Sequence, residues 1–256
     1  IDPAAPPALP HGSFQDAASR LVIRDDEGFL CPYDAEALGK LLCLAHRAHL
    51  MVRIRGAGSK QPEGHDGRVI IGTAGLKKVL SLDPENLTVR VEAGVRWRQL
   101  EQALAQVGQR VPLRPRLAEQ ATVGGVIATD SSGPHRHRHG TCRDLITGLR
   151  FVLPSGDVVM MGGGCVKNVS GYALEKLLIG SMGTIGVIVD ATFCTVPLPE
   201  VTRALCFSSA GCDDGPGEPI ARLGRELTGA HLQLAAVEAL SPALAFRALG
   251  DAGGQQ

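Results

Sequence analysis

The sequence predicts an α+β chain: an α/β N-terminal subdomain leads into a subdomain of mixed and antiparallel strands. Two patterns predict it. Before residue 56 short apolar runs flank one strongly periodic helix, and from residue 68 to 196 the chain turns to short strands joined by tight turns, with one helix among them. The 256 residues, 44% hydrophobic and 20% charged, can bury the core of one large or two modest domains.

The first dozen residues, rich in Pro and Ala, read as a disordered lead-in. Leu21-Val22-Ile23-Arg24 and Gly28-Phe29-Leu30-Cys31 are short apolar runs, after which Pro32 breaks the chain. A helix is predicted over 34–49, where Ala37, Leu38, Leu41, Leu42, Leu44 and Ala45 recur at helical spacing and Asp34 stands as N-cap. A strand over 51–55 then enters a glycine loop, Arg55-Gly56-Ala57-Gly58-Ser59-Lys60, followed by the polar turn Gln61-Pro62-Glu63-Gly64.

Short strands are predicted over 68–71, 77–82 and 87–92. Asp83-Pro84-Glu85-Asn86 supplies turn chemistry between the last two, and Leu87, Val89 and Val91 alternate as a half-buried strand requires. A helix over 97–107 ends at Gly108 and places Trp97, the only tryptophan, on its apolar face as a core residue. Beyond a second glycine segment, Ala121-Thr122-Val123-Gly124-Gly125, strands over 146–153 and 157–161 flank Pro154-Ser155-Gly156 as a hairpin. A third glycine segment, Gly180-Ser181-Met182-Gly183-Thr184-Ile185-Gly186, opens the last strand, 186–196, which Pro197-Leu198-Pro199 closes. Residues 201–256 weaken into a Gly/Asp/Pro loop at 211–219 and one or two helical stretches. The chain thus divides into a lead-in (1–12), a main domain (13–200, with subdomains of about 13–82 and 87–200) and a partial C-terminal cap or assembly region (201–256).

Composition excludes several partners. Lys plus Arg and Asp plus Glu both number 26, so nothing favours nucleic acid or an acidic membrane. Seven scattered cysteines without a C-x-x-C pair argue against a disulfide framework, a zinc site or an iron–sulfur cluster, and point to a reducing, cytoplasmic compartment. No apolar run approaches the roughly 20 residues of a membrane helix, and residues 1–7 lack the basic and apolar regions of a signal peptide. Direct membrane insertion is not expected; any membrane association would go through a partner.

Glycine lets backbone N–H groups approach an anion closely and adopt positive φ, so three glycine segments in one small domain suggest a wrapped, phosphate-containing cofactor. The loop after Arg55 is neither a Rossmann fingerprint nor a Walker loop, because no helix opens on its glycines. A nest of N–H groups on a pyrophosphate fits it; taken alone, an ordinary glycine turn fits it as well.

The first glycine loop, Ala121 to Thr129, Ser132-Gly133-Pro134 with Arg138-His139-Gly140-Thr141-Cys142-Arg143-Asp144, Lys167-Asn168-Val169-Ser170-Gly171-Tyr172, and the run from Gly180 to Ile188 occur in one order. Together they resemble the FAD domain of the vanillyl-alcohol-oxidase family, and within it the branch of FAD-binding E subunits of glycolate oxidase (glycolate dehydrogenase). The likeness spans about residues 20–200. It implies a two-subdomain, PCMH-type fold that clasps an extended FAD and is followed here by a short, incomplete second domain. Carried over by position, Arg55, Gly56, Ala57, Gly58, Ser59 and Lys60 would cradle the pyrophosphate, and Thr122, Gly124 and Gly125 would lie beside the diphosphate and ribityl chain. Ser132, Gly133 and Gly140 would border the flavin, and Gly186, Val187 and Ile188 would approach FAD near its adenine side.

Departures from the family pattern are specific. Ser59 stands where members with a flavin linked to this loop carry histidine, so the FAD is expected to be non-covalent. Ala57 replaces a common third glycine and Ala173 a usual aspartate, which would remove a polar contact and lower affinity. Complete relatives carry a long substrate domain and a C-terminal segment with acid–base, sometimes metal-binding, histidines; here 201–256 holds His231 as its sole histidine, and no general base or other catalytic residue is assigned.

The resemblance therefore implies an FAD-dependent oxidoreductase subunit acting on CH–OH groups of a glycolate- or lactate-type 2-hydroxy acid. It would pass electrons to a larger FAD-containing catalytic subunit and an iron–sulfur subunit, and be inactive alone. Two alternatives stay open: a non-catalytic assembly subunit with structural or absent FAD, and a stand-alone alcohol or sugar oxidase.

His135, His137 and His139 alternate with Arg136 and Arg138. In an extended strand these imidazoles would share a face, but the arginines and the lack of a carboxylate within two residues weigh against a metal, and none is assigned. A cationic loop near the flavin, favouring its anionic reduced form or an acidic substrate, competes with a solvated loop. Arg143-Asp144 serves equally as a local pair or a functional one, and Lys167-Asn168 precedes an expected short helix whose N-terminus could face the cofactor.

Overall fold

The computed structural model describes residues 18, 21–24, 29–60, 69–162, 175–202, 222–227 and 234–237. The lead-in, the turn 61–64, the segment from Lys167 to Ala173, and His231 with most of the region after Val201 lie outside the described residues.

Asp34 starts the first helix, α1 (Ala35–Arg47): its carboxylate accepts the Ala37 N–H at 2.7 Å. The apolar stripe read from the sequence, with Leu38, Leu41, Leu42 and Ala45, is buried. Around it lie β1 (Val22–Arg24), β2 (Leu30–Pro32), β3 (Val52–Arg55) and β4 (Val69–Gly72), in the sheet order β1-β2-β4-β3. The first pair is antiparallel, and β4 runs parallel to both its neighbours. Parallel strands need a crossover, and α1 supplies one between β2 and β3.

The second sheet is antiparallel throughout. It contains β5 (Val79–Asp83), β6 (Thr88–Glu92), β8 (Ile146–Val152), β9 (Val158–Gly162) and β10 (Val187–Cys194), ordered β5-β6-β10-β8-β9. A two-residue pair, β7 (Gln109–Arg110) with β11 (Val196–Pro197), lies apart. The division between the sheets falls between Gly72 and Val79 rather than near residue 82. A tight turn, closed by Asp83 accepting the Asn86 N–H at 3.1 Å, keeps β5 beside β6, so the hairpin cannot be split between subdomains.

Both faces of this second sheet are covered. On one, α2 (Trp97–Ala105) and α3 (Val123–Ala128) bury Trp97, Leu100, Leu104, Val126 and Ile127 against Val89, Val91, Leu149, Phe151 and Phe193. Trp97 is a core residue as expected: fully buried, it meets Phe193 edge-on at 6.0 Å and donates its indole N–H to Glu101 at 3.0 Å. On the other, Val152, Val187 and Val189 join Leu38, Leu41, Leu42, Ile71 and Leu76 around α1, which welds the two sheets together.

Three short helices stand where loops or extended chain were expected: α3, α4 (Arg136–His139) and α5 (Cys142–Leu145); α6 (Glu175–Leu178) completes the set before β10. The histidine run is a helical turn, not a strand. Asp144 closes a capping box on α5, accepting the Thr141 N–H at 2.8 Å and its hydroxyl at 3.1 Å; these bonds, with lesser help from Lys176 and Arg143, hold its carboxyl below the usual range. Among the described residues no helix is long and apolar enough to cross a membrane.

One ion triad ties three adjacent strands. Asp190 on β10, 2% exposed, accepts from Arg90 on β6 at 2.7 Å and Arg150 on β8 at 2.5 Å. Asp190→Asn leaves two half-buried guanidinium groups without a counter-charge, and should lower unfolding stability by about 2–4 kcal/mol. Urea titration should show a lower midpoint with an unchanged slope; an unchanged midpoint would make the triad energetically neutral.

Candidate functional site

The site begins with strand register. β3 and β4 run parallel with Arg55 opposite Gly72, so the first glycine loop and Thr73 leave the sheet at the same carboxyl edge, where open α/β sheets bind ligands. Gly58 has φ +71°, whereas Ala57 and Ser59 do not enter the positive region, so successive residues alternate in hand, the backbone pattern of an anion-binding nest. Among the described residues no acceptor takes the backbone N–H of Gly56, Ala57, Gly58, Ser59 or Lys60.

Opposite stands α3. Its first-turn amides are already used: Val123 donates to Val95 O at 2.9 Å, Gly124 to Ala93 O at 2.8 Å and Gly125 to the Thr122 hydroxyl at 3.3 Å. The donors left for an anion therefore belong to the loop rather than to the helix end. Glycines bring the two walls together, since a Cβ on Gly56 would collide with the Thr122 hydroxyl and one on Gly124 with Ala93. Lys60 reaches across, its ammonium 3.4 Å from the Thr129 hydroxyl, which itself donates to Gly125 O at 2.7 Å. Burial pulls the Lys60 pKa down, the mark of a cation short of counter-charge. The third glycine segment hangs on the far end of α3, Gly180 donating to Ile127 O at 3.0 Å and Met182 to Ala128 O at 2.8 Å.

These walls enclose a cavity of about 230 Å³. Gly56, Ala57, Gly58, Ser59, Lys60, Thr122, Gly124, Gly125, Gly186, Val187 and Ile188, eleven residues read from the sequence, all line it. A second cavity of about 530 Å³, between the end of α1, β3 and the β8–β9 turn, shares Ile54, Met182, Gly183, Gly186 and Val187 with the first, making one elongated cleft.

Four of the named residues lie outside the wall. Arg55 turns its guanidinium over the Phe29 ring, 4.8 Å from the centroid. Ser132 is buried and accepts the Cys142 N–H at 3.0 Å, Gly133 packs beneath the Arg114 carbonyl and Gly140 sits against Asp144. Burial pushes the Cys142 thiol up to about 12, so it is an inert packing group.

Sequence reading missed Thr73. It is 5% exposed and lines the cavity, and its Oγ1 is buried without a hydrogen-bond partner among the described residues. An orphaned hydroxyl costs free energy unless a ligand answers it. The signal was its place one residue past β4, level with the end of β3, which becomes visible only once the two strands are paired. Five free loop amides, a cation lacking counter-charge and an orphaned hydroxyl form a set of donors suited to a pyrophosphate, while Ile54, Ala121, Val187 and Ile188 supply apolar wall. The arrangement fits FAD.

Residues 27–162 match the family described as FAD binding domain. The glycolate oxidase subunit GlcD of Bacillus subtilis is 30% identical over 182 residues, 70% of this chain and 39% of that protein. The mitochondrial D-lactate dehydrogenase [cytochrome] of Arabidopsis thaliana is 34% identical over 194 residues, 74% of this chain and 34% of that protein. The glycolate oxidase subunit GlcE of Escherichia coli is 34% identical over 128 residues, 50% of this chain and 37% of that protein. A solved structure of alkyldihydroxyacetonephosphate synthase superposes with a TM-score of 0.59 at 26% identity, covering 68% of this chain and 32% of the other. The chain thus spans between a third and two-fifths of the length of these relatives.

Two substitutions test the cleft. Gly58→Asp, which puts a carboxylate and a Cβ into a site built for an anion, should weaken FAD retention more than about tenfold. Thr73→Val should do two opposite things: raise the stability of the FAD-free protein, by removing an orphaned hydroxyl, and weaken FAD binding about five- to tenfold, roughly 1 kcal/mol. Thermal melts with and without FAD separate them; a melting point that moves the same way in both would place Thr73 outside the cofactor's reach.

Proposed function

Because the chain belongs to the FAD binding domain family, we propose that it is the FAD-binding part of a glycolate- or lactate-type 2-hydroxy-acid dehydrogenase whose flavin passes electrons to a partner subunit. The observation that carries the cofactor half of this reading is the single cleft in which the free loop amides, Lys60 and Thr73 face one another. The substrate half is supported by the glycolate and D-lactate names of the relatives.

When bound, FAD supplies a two-electron acceptor for the hydride leaving a CH–OH carbon. The chain's own residues bind and orient it. The amides of 56–60 would donate to the pyrophosphate, Lys60 would offset part of its charge, Thr73 would donate its hydroxyl, and the apolar wall of Ile54, Val187 and Ile188 would exclude water. Ser132, Gly133 and Gly140 act one layer out, fixing the 131–142 segment that borders the flavin. Hydride loss must be matched by proton loss from the hydroxyl, and the base for it comes in this reading with the partner, which we take to be a larger FAD-containing catalytic subunit working with an iron–sulfur subunit. Any membrane association runs through the same assembly.

Ser59 offers no imidazole to the flavin, so the cofactor is held without a covalent bond. Acid denaturation should release all of the flavin into a yellow supernatant; fluorescence that stays with the polypeptide on a denaturing gel would refute this. Dye-linked oxidation of glycolate or D-lactate should appear on co-expression with the partner subunits and be absent from the chain alone. Turnover by the isolated chain above about 1 per second, ordinary for an enzyme, would replace the subunit reading with an oxidase.

A further inference from the structure

Beyond the phosphate cleft we infer that Arg110, Arg114 and His135 form a second anion subsite, which takes the carboxylate of a small organic acid. Two buried atoms of this cluster lack hydrogen-bond partners among the described residues: the Nε of Arg110 and the Nδ1 of His135. Leaving a guanidinium N–H out of water with nothing to accept it is costly, and a carboxylate oxygen is the acceptor that offsets the cost best.

Hydrogen bonds pin the backbone beneath the cluster. Gln109 anchors β7, donating to Pro84 O at 2.8 Å and accepting the Thr195 hydroxyl at 2.7 Å, which fixes its neighbour Arg110. Arg114 donates its backbone N–H to Ser132 O at 3.1 Å, pinning the strand of chain that carries one charge to the turn that carries His135. His139 donates its backbone N–H to His135 O at 3.1 Å and sets its ring 6.5 Å from the His135 ring. The backbone that carries the three side chains is therefore ordered before a ligand arrives.

Positive charge dominates at the imidazoles, while Glu101 lies within electrostatic reach of Arg114. Burial lowers the pKa of both imidazoles, helped by Arg110 and Arg114 at His135 and by Arg138, Arg110 and His135 at His139; among the described residues no carboxylate counts among the charges acting on either ring. His135 is thus held neutral, able to donate from one ring nitrogen, beside guanidinium groups that stay charged. A guanidinium edge offers paired N–H donors that match the two oxygens of a carboxylate. A short stretch of chain links the subsite to the cofactor cleft, running from Thr129 in the cleft wall through Ser132 to His135.

The substrate class rests on the hydroxy-acid reading above; the anion subsite itself does not. Oxalate, a dicarboxylate with no hydrogen to transfer, is the probe, titrated calorimetrically into the FAD-loaded chain. The wild type should bind it, and Arg110→Met should bind it at least about tenfold more weakly. Arg114→Met, which alters an exposed side chain and so leaves folding intact, should also weaken it, and Arg98→Met, which removes a surface arginine elsewhere, should not. FAD content should stay unchanged in all three, because none of these residues lines the phosphate cleft. No oxalate binding by the wild type, wild-type binding in both cluster variants, or an equal loss in Arg98→Met would overturn the subsite. If oxalate binding depends on Arg110 but the assembled complex oxidises no 2-hydroxy acid, the dehydrogenase reading falls and the subsite stands.

Discussion

The close approach of the loop after β3 to the first turn of α3 is the constraint on which the rest of the site depends. It joins the parallel sheet to the antiparallel one, and it is possible only because residue 56 has no Cβ to strike the Thr122 hydroxyl. From that contact the geometry follows in sequence. Thr122 caps α3, the first α3 amides are spent on Val95, Ala93 and Thr122, and among the described residues the amides of 56–60 are left without an acceptor. On the other side, α1 locks the angle between the sheets through Val152, Val187 and Val189. A cofactor laid in the cleft touches both subdomains at once and so contributes to holding them together.

The electrostatics of the cleft run counter to the usual picture of an anion on a helix end. α3 is short and glycine-bearing, with its N–H groups spent on Val95, Ala93 and Thr122. In the proposed reading the positive charge comes instead from Lys60, a partly buried cation that among the described residues meets the neutral hydroxyl of Thr129. A site that held pyrophosphate by backbone shape and one lysine, as proposed, would tolerate little change in loop conformation but much in the residues around it.

Much of this was legible in the sequence, for local reasons. The α1 stripe and its Asp34 cap, the hairpins at 83–86 and 154–156, and the burial of Trp97 are read from spacing and turn chemistry that act over a few residues. Eleven of the cavity-lining residues could be named because the three glycine segments, in their order, carry the family resemblance from which those positions were transferred. What escaped depends on contacts far apart in the chain. Ala-Thr-Val-Gly-Gly is a poor helix former, and α3 exists because Ala93 and Val95 accept its first amides. Thr73 looks like any strand-end threonine until β3 and β4 are paired, and Asp144 caps its own helix because the Thr141 N–H three residues back is a better-placed donor than a solvated guanidinium.

Hydrogen exchange of the backbone amides at residues 56–60, followed by mass spectrometry with and without FAD, tests the central claim most directly. If these amides are the pyrophosphate donors, they exchange freely in the FAD-free protein and slow at least about tenfold once FAD is bound. Flavin bound at full occupancy with no change in exchange at 56–60 would contradict the account and move the pyrophosphate to another wall of the cleft.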